Sequence, residues 1–91
     1  MTIVFKISDN IKPKMIKYYE DLKRDKTPPY AIFQAQEEDT IITLYNSGKC
    51  MFQGTSAFVD ANMWKDLESH FNNRDIDSEI KAKENKEDDK T

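Results

Sequence analysis

Residues 30–54, "YAIFQAQEEDTIITLYNSGKCMFQG", constrain this chain more than any other stretch. Three runs alternate with a period of two, "YAIFQAQ", "TIITLY" and "KCMFQ", and only "EED" and "NSG" separate them. Alternation of this kind, with β-branched and aromatic residues, reads as half-buried strands. Connections this short join antiparallel neighbours, because a parallel crossover needs a far longer segment. The centre of the chain is therefore an antiparallel meander.

The flanks decide what covers it. Residues 2–8, "TIVFKIS", alternate with Ile3, Phe5 and Ile7 on one side and Thr2, Val4, Lys6 and Ser8 on the other, which predicts another strand. Ser8, Asp9 and Asn10 are good helix caps. Ile11, Met15, Tyr18, Tyr19 and Leu22 then recur at helical spacing, with Pro13 in the first turn where its missing N–H is harmless. A helix is expected from about Asn10 to Lys23, and the two prolines of "KTPPYA" stop it. After the strands, Gly54 and Thr55 lead into a last helix with the stripe Ala57, Phe58, Ala61, Trp64, Leu67 and Phe71. Trp64 belongs to the core and His70 sits near the helix end without a special role.

The order is β-α-β-β-β-α. It predicts an α+β domain, a four-stranded antiparallel sheet with two helices on one face. The other face is left open.

Hairpin register says what that face carries. A three-residue loop, Asn46-Ser47-Gly48, fits a type I turn with glycine in the left-handed conformation. Tyr45 then pairs with Lys49, Leu44 with Cys50, Thr43 with Met51 and Ile42 with Phe52. Ile42, Leu44, Cys50 and Phe52 form a core set, and Ile41, Thr43, Tyr45, Lys49, Met51 and Gln53 face outward. Val4 and Lys6 join them from the first strand, and Tyr30, Ile32, Gln34 and Gln36 from the second, with Ala31, Phe33 and Ala35 turned to the helices. No Asp or Glu falls on this face. Hydroxyls, amides, a tyrosine and two lysines suit the sugars, phosphates and groove edges of a nucleic acid.

Charge fits that only locally. The net charge is −3 over 91 residues, so no overall basic field is present. Six of the basic residues fall between Lys12 and Lys26. From Asn72 onward the only aliphatic residues larger than alanine are Ile76 and Ile80, and the run "EIKAKENKEDDKT" is nearly all polar. Residues 72–91 are thus expected to be a flexible charged tail, dispensable for folding, beyond a domain at 1–71. The single Cys50 excludes an internal disulfide and suits a reducing, cytoplasmic setting. No stretch is long and apolar enough for a membrane helix, and "MTIVFKISDN" has no signal-peptide pattern. The carboxylates are expected on helix surfaces, turns and the tail, with no convergent metal or nucleophile arrangement, so no catalytic residues, metal or cofactor are assigned to this chain.

"VFKIS", "DKTPPYAIFQAQ" and "YNSGKCMFQG" together resemble the N-terminal domain of bacterial ribonuclease HIII. The likeness runs from about Ile3 to Trp64, and the "KTPP" loop and the aromatic-x-SGK-x-x-FQG hairpin are its most specific parts. The resemblance implies a TATA-box-binding-protein-like fold that binds RNA/DNA hybrid and presents it to a C-terminal ribonuclease H domain. That catalytic domain, which uses divalent magnesium or manganese to cleave the RNA strand, is not expected within these residues. On this reading Lys6 and Lys49 contact phosphates, Tyr45 packs on sugar or base edges beside Met51, and Gln34, Thr43 and Gln53 hydrogen-bond in the minor groove. Lys26, with Lys23 and Arg24, extends the phosphate track. The alternative is a protein-interaction module whose open sheet docks on another domain or on itself. Salt separates the two, since phosphate binding weakens steeply as ionic strength rises.

Overall fold

The computed structural model describes residues 1–79. Strands β1 (Thr2–Lys6), β2 (Ala31–Glu37), β3 (Thr40–Tyr45) and β4 (Lys49–Gln53) form one sheet in the order β1-β4-β3-β2, with every neighbouring pair antiparallel. Helices α1 (Lys12–Tyr18) and α2 (Ala57–Asn72) supply the other layer. The α+β arrangement is the expected one.

Register lays the sheet out in transverse rows. Phe5, Cys50, Leu44 and Phe33 form one row, and Ile3, Phe52, Ile42 and Ala35 the next. Both rows face the helices, and all eight side chains but Ile3 are buried. Burying each large apolar side chain contributes about 1.5–3 kcal/mol, so these rows and the helix stripes supply most of the fold's stability. Ile11, Met15 and Tyr19 of the α1 region and Ala57, Ala61 and Trp64 of α2 close over them. Inside this layer Trp64 Nε1 donates to Tyr19 Oη at 3.0 Å, and Tyr19 Oη donates to Asp60 Oδ2 at 2.6 Å. Each polar atom of this buried chain is thereby satisfied. Burial, reinforced by the bond to Asp60, pushes the Tyr19 hydroxyl far up.

Several local expectations are corrected. The first helix is shorter than 10–23: α1 ends at Tyr18 and one 3-10 turn, Glu20–Leu22, follows. No side chain caps α1; Ser8 instead offers its carbonyl to the amides of Ile11 and Lys12. Phe58 and Phe71 are not core residues but are about half exposed, and Tyr18 is likewise open. Their places on the buried side of α2 are taken by Asp60 and Glu68, two acids expected on the surface. Ala31 pairs with Tyr45 on the open face rather than facing the helices, because the register shifts between Ala31 and Phe33. A bulge of this kind inserts one extra residue and reverses the alternation before it.

The domain does not stop at Phe71. Asn73 closes α2 in the left-handed conformation, and the chain turns back so that Ile76 enters the core at 3% exposure. Residues 76–79 are helical. Glu68, fully buried, accepts from the Ser8 amide and hydroxyl, from Asn72 Nδ2 at 3.0 Å and from Arg74 Nη1 at 3.0 Å. Arg74 also holds Glu79 through Nη2 at 2.9 Å, and Lys65 pairs with Asp77 at 2.9 Å. One aliphatic side chain and the ion pair of half-buried Arg74 with buried Glu68 thus pin a segment that composition alone marks as tail. The remainder of the expected tail, with Ile80, lies outside the described residues.

Candidate nucleic-acid interface

Three further rows make up the open face. Thr2, Gln53, Ile41 and Gln36 form one margin, and Val4, Met51, Thr43 and Gln34 the middle. Lys6 lies opposite Lys49, and Tyr45 opposite Ala31, at the other margin. None of these is acidic. Glu37, next along β2, pairs with Thr40 on the helix side, where burial and then Asp60 and Glu38 push its carboxyl up. With strands about 4.8 Å apart and alternate residues about 6.7 Å apart, the face measures roughly 14 Å each way.

The hairpin builds the basic margin as its residues dictate. The Gly48 amide donates to the Tyr45 carbonyl at 2.9 Å, and Gly48 has φ of 94°, a conformation that favours glycine. The register Leu44–Cys50, Thr43–Met51, Ile42–Phe52 is the expected one. Lys6 and Lys49 emerge side by side and exposed. Among the described residues neither is in a salt bridge. Like charges directly opposite on a sheet are unfavourable without an anion between them.

A second basic group lies beyond β2. The Arg24 amide donates to the Gln34 carbonyl at 2.7 Å and Lys23 bridges to Ala35, so the loop is held against that sheet edge. Lys23, Arg24, Asp25 and Lys26 line a shallow cleft with Gln34. Lys26 is exposed there, with Asp25 as the one acid among the bases.

The predicted contact residues divide accordingly. Lys6 and Lys49 are exposed, and Gln34, Tyr45, Met51 and Gln53 are half-buried on the open face. Thr43 is corrected: it is fully buried at the centre of the face, and its hydroxyl accepts from Gln34 Nε2 at 3.0 Å. Gln34 covers it, so Thr43 acts by fixing the Gln34 amide and not as a free donor. Cys50 is buried in the layer below, with its thiol donating to the Phe5 carbonyl at 3.3 Å; burial pushes it up to about 12. One feature escaped sequence reasoning. Val4, Tyr30, Tyr45, Asn46, Ser47, Lys49 and Met51 line an open pocket of about 450 Å³ at the basic margin. Tyr30 was legible as an outward residue, but the turn that aims it was not.

Among the described residues no group of three or more His, Cys, Asp or Glu is placed to hold a metal, and no helix is long and apolar enough to cross a membrane.

A sheet covered by helices on one side and bare, acid-free and edged with bases on the other defines an α+β module with one open sheet face. The chain belongs to the family described as "Domain of unknown function (DUF3378)", which matches residues 2–75 and is the N-terminal region of ribonuclease HIII. It is 40% identical over 62 residues to a Ribonuclease HIII of Enterococcus faecalis, covering 68% of this chain and 20% of that protein. It is 39% identical over 72 residues to that of Lysinibacillus sphaericus, covering 79% and 23%. The chain thus spans about a fifth of the length of the curated relatives it matches. A crystal structure of Bst-RNase HIII in complex with Mn2+ superposes with a TM-score of 0.65 at 31% identity, covering 70% of this chain and 21% of that one.

Proposed function

We propose that this domain binds RNA/DNA hybrid on its open face and serves a ribonuclease H catalytic domain carried by the longer relatives. One observation carries the reading: an acid-free, uncharged band of amide and apolar side chains lies between two separate groups of bases, Lys6 with Lys49 at one margin and Lys23, Arg24 and Lys26 beyond β2. Two basic margins flanking a neutral band match two phosphate backbones flanking a groove. Contacts of this kind orient a duplex without reading its sequence. Gln34 and Gln53 present amides where an RNA strand displays its 2′-hydroxyls. The divalent metal belongs to the catalytic domain, in keeping with the Mn2+ complex of Bst-RNase HIII.

The test is a titration of labelled hybrid at low salt, with double-stranded DNA and double-stranded RNA as competitors. The expected result is saturable binding with a steep salt dependence. The chain alone is expected to leave the hybrid uncut in magnesium or manganese. Cleavage lost on mutating its own acids would overturn that assignment.

A second reading, docking of the open face on another protein domain, is favoured by the exposure of Val4 and Ile32. It requires an association that salt barely changes and a face on which Lys49→Ala is silent.

A further inference from the structure

Among the described residues three non-glycine residues have positive φ, Tyr30, Glu38 and Asn73, and Tyr30 is the one of them on the margin of the open face. The Ala31 amide donates to the Pro28 carbonyl at 3.1 Å, closing a tight turn with Pro29 and Tyr30 in its centre. Tyr30 has φ of 66°, at the turn position where glycine or asparagine is favoured. A bulky residue there is a steric outlier. Packing within the domain does not compensate, because Tyr30 is 83% exposed. The turn is nonetheless locked: the Asn46 amide of the hairpin donates to the Tyr30 carbonyl at 2.8 Å. Strained backbone of this kind clusters at binding and active sites.

Its surroundings say from what. Tyr30 and Tyr45 wall the pocket of about 450 Å³, Val4 and Met51 give it apolar surface, and Lys49 stands at its side. Lys6, directly across the strands, adds a second cation with no ion pair among the described residues. The site therefore offers aromatic faces for a flat ring and, beside them, a place for one phosphate.

Resting on the reading that the open face binds nucleic acid, we infer that this pocket is a subsite for one unpaired nucleotide at the end of a strand. Its base packs on Tyr30 and Tyr45, and its phosphate lies between Lys6 and Lys49. A base inside a duplex would first have to leave its stack; an unpaired terminal nucleotide avoids that cost. The domain then favours a hybrid with a single-stranded overhang over a blunt one.

The experiment compares three labelled hybrids by fluorescence anisotropy at constant salt: blunt, with a two-nucleotide overhang, and with an abasic overhang of equal charge. The overhang is expected to bind about tenfold more tightly than the blunt hybrid, the scale of stacking one base on an aromatic side chain. The abasic overhang should lose that gain. Tyr30→Gly should bring the overhang-to-blunt ratio to one while melting no lower than the parent, since glycine accepts the positive φ. Tyr30→Phe should keep the ratio. Equal affinity for blunt and overhang hybrids, or a ratio unchanged in Tyr30→Gly, would overturn the subsite while leaving hybrid binding by the face intact. Tight binding of the overhang alone would support the subsite and refute the face-wide reading. Binding of none of the three would refute both.

Discussion

Cutting the chain after Asn73, or replacing Ile76 by alanine, probes the segment whose order the sequence least suggests. Ile76 is 3% exposed, and an Ile→Ala change in a core costs about 2–5 kcal/mol from lost transfer and the cavity left behind. For a domain of this size each kcal/mol lowers Tm by about 4–8 °C, so Ile76→Ala should melt about 8–40 °C lower. Truncation after Asn73 removes Arg74 as well. Glu68, fully buried in the intact domain, would keep its bonds from Ser8 and Asn72 but lose its cation. Stripping one partner from a fully buried pair costs about 3–5 kcal/mol, and the partial exposure of Arg74 makes the loss here smaller. Whole domains are stable by only about 0.05–0.15 kcal/mol per residue, so the truncated chain should be largely unfolded at room temperature. Thermal melts by far-UV circular dichroism measure this, with Asp66→Asn, an exposed acid, as control. If the chain ending at Asn73 melts within about 2 °C of the parent, the range of a neutral surface change, the packing of Ile76 and the role of Arg74 are refuted.

Phe52→Ala should unfold or severely weaken the domain, costing about 3–5 kcal/mol, while Tyr45→Ala and Lys49→Ala keep the fold; denaturant titration separates them. In hybrid binding, Lys49→Ala should lower the log–log salt slope by about 0.9, one phosphate's worth, and Tyr45→Ala should leave the slope alone. Gly54→Ala should destabilise by more than about 1 kcal/mol in urea melts, given its φ of 132° and an added Cβ 2.2 Å from the Asp39 carbonyl oxygen. Cys50 gives a pH signature: its folded value is raised from 9.0 to about 12, so its contribution is full below pH 9.0 and lost as pH rises towards about 12. Urea melts should show this alkaline loss reduced in Cys50→Ala; an identical loss in both proteins would contradict it.

The sheet was legible because its signals are local and repeated. Short turns and alternation fix β3, β4 and their register, and Gly48 marks the one loop geometry that keeps Leu44 and Cys50 on one face. Helix detail was less legible. The stripe of α2 was drawn through Phe58 and Phe71 because aromatics look like core. Yet Asp60 and Glu68 occupy the buried positions, since Tyr19, Ser8 and Arg74 satisfy them from distant parts of the chain. No window of sequence contains those partners. The same holds for residues 73–79, where one isoleucine and one arginine decide against a composition that otherwise reads as disordered. At the open face, the outward set followed from alternation, but the bulge at Ala31–Phe33 and the left-handed Tyr30 depend on the hydrogen bond from Asn46, sixteen positions along the chain.

The core and the proposed binding face lie on opposite sides of the sheet. The two core rows and the buried polar networks lie on the helix side; the margins with Lys6, Lys49, Arg24 and Lys26 lie on the other. The open face therefore carries costs that the core must offset: two lysines opposed without an acid, a tyrosine in a glycine-like backbone, and half-exposed Val4 and Ile32. Surface positions under no functional demand usually tolerate change within about 0.5 kcal/mol, and a larger gain is expected at these positions. Lys6→Glu should relieve the like-charge pair and Tyr30→Gly the strained turn, so both should stabilise the isolated domain. Both remove what a nucleic-acid strand would touch. A face on which the stabilising changes are also the ones that abolish binding is shaped by its ligand and not by the fold.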